Sequence, residues 1–190
     1  GVTMKNRLFV MSAASGAGKT TLKDKVIHKF PDIRYSISAT TRSPRPGEVN
    51  GVHYFFKTKD EFLKMIQEDA LVEWNEVHGN YYGTPKSFVE ETLAKGERVL
   101  FDIDVFGKVN FDKVYPEATG ILILPPSSEE LERRLRARAS DSEEVIRLRL
   151  ENAKKEIEFA QTNGKYEHVI VNDDLETAAL ELERILSQQN

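Results

Sequence analysis

The chain has 190 residues, of which 39% are hydrophobic and 31% charged, with no cysteine and a formal net charge of −4. That length fits one domain, or one domain with a small insert, and the apolar content supports a packed core rather than a disordered chain. Disulfides, thiolate metal sites and a cysteine nucleophile are excluded; the charge balance argues against a nucleic-acid surface, no apolar run of about 18 residues suggests a membrane span, and the absence of a charged-then-apolar leader suggests a cytoplasmic protein.

Along the chain, Leu8-Phe9-Val10-Met11 reads as a buried strand running into a loop of small residues. A helix is expected over 20–29, with Leu22, Val26 and Ile27 on its apolar face and Phe30-Pro31 as its stop. From about residue 36 to 86 the texture changes. Tyr35-Ser36-Ile37-Ser38, His53-Tyr54-Phe55-Phe56, Leu71-Val72-Glu73-Trp74 and Asn80-Tyr81-Tyr82-Gly83 are short β-rich pieces. One helix interrupts them, opened by a capping box of Thr58 and Glu61 and made amphipathic by Phe62, Leu63 and Ile66. This stretch reads as a small mixed insert.

After it, a helix over 87–95 stops at Gly96, and Arg98-Val99-Leu100-Phe101-Asp102 is a strand ending in an acid. Gly120-Ile121-Leu122-Ile123-Leu124 is a strand stopped by Pro125-Pro126. Ser127 with Glu130 caps the next helix, and Ser140 with Glu143 caps a long one. Glu167-His168-Val169-Ile170-Val171 is the last strand, and 175–186 the last helix. Strands alternating with helices outside the insert imply a parallel sheet covered on both faces.

The loop after the first strand, Ser12-Ala13-Ala14-Ser15-Gly16-Ala17-Gly18-Lys19-Thr20, matches the phosphate-loop pattern G-x-x-x-x-G-K-[ST], except that Ala13 replaces the first glycine. Converging N–H groups at a helix N-terminus, small side chains and a lysine are what binding a polyphosphate requires. Thr20 offers a hydroxyl to Mg²⁺, and Ala13 requires a backbone without positive φ. A second anomaly is Thr40-Thr41-Arg42-Ser43-Pro44-Arg45-Pro46-Gly47-Glu48, where two guanidinium groups in a stiff segment suit a phosphate. The four histidines, His28, His53, His78 and His168, have no metal-ligand spacing and read as structural or surface residues.

Together with Asn50-Gly51-Val52-His53-Tyr54, Val72-Glu73-Trp74, Gly79-Asn80-Tyr81-Tyr82-Gly83-Thr84 and Phe101-Asp102-Ile103-Asp104, these segments resemble guanylate kinase, in order, from about Leu8 to Leu186. The resemblance implies a P-loop NTPase α/β fold with a parallel central sheet, a small mixed GMP-binding insert and a helical lid. The implied division is a core of 1–35 and 97–190, a GMP-binding subdomain of 36–90 and a lid of 137–150. The implied reaction is phosphoryl transfer from ATP to GMP, and to dGMP, with Mg²⁺ bound with ATP and no organic prosthetic group.

By the same resemblance, ATP is held by Ala13, Ala14, Ser15, Gly16, Ala17, Gly18, Lys19, Thr20, Thr21 and Asn172, with Thr20 on the metal. Arg42, Arg45, Tyr54 and Tyr82 match residues that hold the GMP phosphate. Ser38, Glu73 and Thr84 match those that read guanine, with Asp104 near the base and Asp102 near the phosphoryl centre. Lys19, Arg42, Asp102, Arg138 and Arg149 are the implied catalytic set. Arg138 and Arg149 match lid arginines, whereas i,i+4 spacing pairs Glu129, Glu130, Glu132 and Glu143 with Arg133, Arg134, Arg136 and Arg147; of these Arg133, Arg134 and Arg147 read as helix-surface charges and Arg136 stays open. Ala139 stands where the family usually has glycine, implying a stiffer lid. The retained Lys19 and lid arginines argue against a non-catalytic phosphopeptide-binding module, and Glu73, Ser38 and Thr84 argue against a sugar-phosphate kinase.

Overall fold

A computed structural model of the chain describes residues 6–138 and 140–188. In chain order it runs β1 (Leu8–Ala13), α1 (Lys19–Ile27), β2 (Ile33–Tyr35), β3 (Ala39–Thr40), β4 (Phe55–Phe56), α2 (Lys59–Gln67), β5 (Leu71–Val77), β6 (Asn80–Pro85) and α3 (Lys86–Ala94). Then come β7 (Arg98–Asp102), α4 (Val105–Val114), β8 (Thr119–Leu124), α5 (Ser128–Ala137), α6 (Glu143–Asn163), β9 (His168–Val171) and α7 (Leu175–Leu186).

Five strands form an all-parallel sheet in the order β2-β7-β1-β8-β9. The central strand β1 is apolar along its length because both of its faces are covered. Phe9 and Met11 pack with Leu22 and Val26 of α1 and Leu182 and Ile185 of α7 on one face. Leu8 and Val10 pack with Val89 of α3 and Phe111 of α4 on the other. The sheet thus presents the ends of β1, β7 and β8 at one edge, where the functional loops lie.

The insert has its own four-stranded sheet, β4-β3-β6-β5, mixed because β3 and β4 run parallel while the other pairs are antiparallel. Its core is Ala39, Phe62 and Leu71, and Tyr81 stacks on Phe62 with centroids 5.3 Å apart. The Thr58–Glu61 capping box forms in both directions.

Several sequence expectations need correction. Ile33–Tyr35 joins the central sheet beside β7, so Tyr35 belongs to the frame and not to the insert. Helix α4 was not anticipated: Gly107 and five aromatic or β-branched residues blur its periodicity, and Asp104, which also lines the cavity below, is its N-cap. The long helix α6 is capped by Ser142, whose hydroxyl accepts from Val145 N–H, rather than by Ser140. Glu143, its expected partner in the cap, is taken instead by Arg136 at 2.5 and 2.8 Å. Arg133 pairs with Glu130, three residues back, and not with Glu129. The segment expected as a lid, 137–150, spans the α5–α6 turn and the start of α6; Ala139 lies outside the described residues.

Candidate functional site

The turn from β1 into α1 builds an anion seat from main chain. Gly16 and Gly18 both have φ of 80°, and Gly18 is the left-handed N-cap of α1. A Cβ at Gly18 would stand 2.7 Å from Asn172 Nδ2, and one at Gly16 2.5 Å from Leu131 Cδ1, so glycine is required by conformation and by space. Ala13 lies within β1 and is not among the positive-φ residues, as its Cβ demands. The loop lines a cavity of about 410 Å³ with Ala13, Ala14, Ser15, Gly16, Ala17, Gly18, Lys19, Thr20, Thr21, Asp104, Arg138 and Glu156.

Asn172 is placed beneath this loop. It is buried, and its Nδ2 donates to Ala17 O at 2.8 Å, fixing the loop from β9's end. Arg134, expected as a surface charge, also donates to Asn172 O at 3.0 Å. Arg138 lines the cavity and has no ion pair among the described residues. Arg149 does not line it and stands 3.5 Å from Asp141.

A second cavity of about 360 Å³ opens between the two sheets. Ser38, Tyr54, Glu73, Tyr82, Asp102 and Asp104 line it, with Tyr35, His53 and Asn75, which sequence reasoning had not assigned to it. Thr84 reaches it through Glu73, donating to Oε1 at 2.7 Å. Burial pushes the Glu73 carboxyl up to about 7, against the lowering effect of Thr84, with Asp104 raising it further. Gly107 lets α4 approach: a Cβ there would stand 3.1 Å from Glu73 Oε2. Asp104 caps α4 at Gly107 N–H, 2.7 Å, and accepts from Asn75 at 2.9 Å.

Arg42 and Arg45 stand outside this wall. Arg42 stacks over the Tyr54 ring, 5.0 Å from its centroid, and makes a two-pronged pair with Glu48 at 2.9 and 2.9 Å. Glu48 also accepts Arg45 N–H at 2.7 Å. The Arg42 hydrogen bonds, with the Arg45 amide, hold the Glu48 carboxyl at about 2. Glu48 thus sets the Arg42 fork; its place in the arginine segment was the only signal, and no spacing rule singles it out.

The two cavities meet at β7's end. Asp104 lines both, and Asp102 lines the second together with a cleft shared by Lys19, Thr20 and Lys23. Lys19 is ion-paired to Asp102 Oδ1, and Tyr35 donates to Asp102 Oδ2 at 2.9 Å. Glu156 of α6 also went unnoticed. Its carboxylate accepts from the Ser15 hydroxyl at 2.8 Å, across a separation of 141 residues that no local pattern reveals. Among the described residues no group of three His, Cys, Asp or Glu side chains could hold a metal, and no helix is long and apolar enough to cross a membrane.

The family profile described as guanylate kinase matches residues 5–189. A guanylate kinase of Shewanella violacea is 49% identical over 99% of this chain and 90% of its own length. One of Desulfitobacterium hafniense is 43% identical over 94% of this chain and 88% of its own. The crystal structure of guanylate kinase from Anaplasma phagocytophilum superposes with a TM-score of 0.70 at 34% identity, covering 94% of this chain and 83% of that one.

Proposed function

The chain belongs to the guanylate kinase family and phosphorylates GMP to GDP with ATP; from that premise we propose how its two cavities divide the substrates. The observation that carries the reading is their meeting at Asp102 and Asp104, with Lys19 between them.

ATP phosphates take the loop cavity, held by the N–H groups of residues 14–20 and by Lys19. GMP takes the cavity between the sheets, its base against Glu73 and Ser38 and its phosphate toward Tyr54, Tyr82, Arg42 and Arg45. With Thr84 on Oε1, Glu73 keeps acceptor capacity for the guanine N1–H and N2–H₂. Adenine has no N1 donor and would leave the carboxylate unpaired, which can separate the bases by a factor of about 10⁴. The residues 36–90 then act as the acceptor subdomain and 137–150 as the lid. dGMP is a second acceptor, since no side chain is assigned to the ribose 2′-hydroxyl. A cytoplasmic location, where both nucleotides are dissolved, goes with this reading.

A GMP phosphate oxygen, already anionic, attacks the γ-phosphorus in line while the bond to the β-phosphate oxygen breaks, so no strong general base is needed. Lys19 exchanges Asp102 for phosphoryl oxygens. Arg138 adds charge from the α5–α6 turn, and Arg149 follows once its pair with Asp141 opens. Hard oxygens suit Mg²⁺, and the Thr20 hydroxyl and Asp102 carboxylate in one cleft, without a full protein cage among the described residues, fit an ion carried on ATP. An ion held by these groups would supply positive charge against the developing phosphate charge.

A coupled ADP-release assay with ATP and Mg²⁺, offering GMP, dGMP, AMP, UMP and ribose phosphates, tests the reading. Turnover on GMP and dGMP far above AMP, lost in Lys19→Ala, is expected. GMP binding without turnover on any acceptor would count for a binding module instead.

A further inference from the structure

Tyr35 stands at the boundary between the two cavities, yet it contributes to neither of the roles assigned above. It ends β2, paired in register with Leu100 of β7, and Ser36 N–H donates to Leu100 O at 2.9 Å. This fixes its backbone beside the strand that carries Asp102. Its hydroxyl donates to Asp102 Oδ2 at 2.9 Å while Asp102 Oδ1 takes Lys19. Lys23 Nζ stands 4.1 Å from the ring centroid, so the phenol is held from a second side by a cation on its face. The two oxygens of one carboxylate are therefore divided between a phenol and the phosphate-loop lysine.

We propose that Tyr35 is a positioning residue for phosphoryl transfer: its hydroxyl occupies Asp102 Oδ2, so that Lys19 is held by one oxygen and released to the transferring phosphoryl group. The proposal rests on the reading of Lys19 and Asp102 given above. Without the hydroxyl, both carboxylate oxygens are free for Lys19, and moving the lysine to phosphate becomes harder. A hydrogen bond to a charged group is worth about a tenfold to hundredfold change in an equilibrium.

Tyr35→Phe keeps the ring and removes only the donor. On the full chain with ATP, GMP and Mg²⁺, kcat should fall about tenfold while KM for GMP stays within about twofold. In an Asp102→Asn background the same change should alter kcat by less than about twofold, because Tyr35 acts only through that carboxylate. Equal losses in both backgrounds, an unchanged kcat, or a raised KM with kcat intact would each overturn the proposal. A parent enzyme that does not turn over, or an Asp102→Asn variant as active as the parent, would instead refute the reading beneath it. Should Phe at this position unfold the chain, the Tyr35 ¹³Cζ resonance decides: it should move when Asp102→Asn is made, and an unmoved resonance overturns the proposal.

Discussion

The two halves of the site are made of different material. The loop cavity is mainly backbone: left-handed glycines at 16 and 18, an Asn172 brace on Ala17 O, and the N-terminus of α1. The cavity between the sheets is mainly side chain, drawn from β2, β5, β6 and the β7–α4 junction, with Glu73 pushed up to about 7 among its walls. A backbone seat binds any polyphosphate and does not titrate. A side-chain seat selects one base, and the groups that make it selective also make it sensitive to pH. Substitutions should separate these two kinds of dependence.

The largest effect is expected on the backbone side, at its one ionic side chain. Lys19→Ala should lower kcat about 10³-fold, because a charge aimed at the transferring group is lost while the loop's fold is kept. Steady-state turnover with GMP measures it, and a loss below tenfold would mean that the N–H groups suffice. Next comes Glu73→Gln on the selective side. It should lower kcat/KM for GMP about 10²-fold and leave ATP binding unchanged, because an amide offers the guanine edge a donor where an acceptor is needed. Equal loss of ATP affinity would show that the two halves are not separable.

The same contrast explains what the sequence disclosed. The loop was legible because nine adjacent residues encode it, and Leu8, Phe9, Val10 and Met11 place it after a strand buried on both faces. That Ser38, Glu73 and Asp104 share one cavity was legible only through the family resemblance, since they lie far apart in sequence and meet through two sheets. What escaped was whatever depends on a partner: Glu48 holding Arg42, Glu156 on Ser15, Tyr35 on Asp102. Ser140 and Ser142 illustrate this locally. Both precede a helix, but Glu143 is drawn away by Arg136, and the cap falls to the serine whose hydroxyl meets a free N–H at Val145.

A pH series sharpens the comparison at smaller amplitude. With the Glu73 carboxyl at about 7, its ionised fraction, and with it kcat/KM for GMP, should rise about tenfold between pH 6 and pH 8. GMP's own phosphate titrates in the same direction, so the Glu73-dependent part is the difference between parent and Glu73→Gln. Stability moves the opposite way. A carboxyl raised from 4.5 to about 7 binds its proton more tightly when folded, so its favourable contribution is complete below 4.5 and is lost as pH rises through about 7. The swing is about 3 kcal/mol. Glu73→Gln should therefore gain melting temperature relative to the parent at pH 9 compared with pH 5, and a difference independent of pH would show that Glu73 is not held protonated by burial.

The smallest effect expected is at Glu48. Its pair with Arg42 is two-pronged, and the side chains expose only 13% and 19% of their surface, for Arg42 and Glu48 respectively. Removing the acid does not remove the Arg42 guanidinium, proposed above for the GMP phosphate; it frees that guanidinium to move, while Tyr54 still supports its face. Glu48→Gln retains one acceptor oxygen for the Arg45 N–H and loses the charge. KM for GMP should rise about threefold with kcat unchanged, in keeping with the modest worth of ion pairs near solvent. If GMP binds more tightly instead, Glu48 competes with the substrate phosphate for Arg42. The acceptor side would then resemble the donor side, where Lys19 is ion-paired to Asp102.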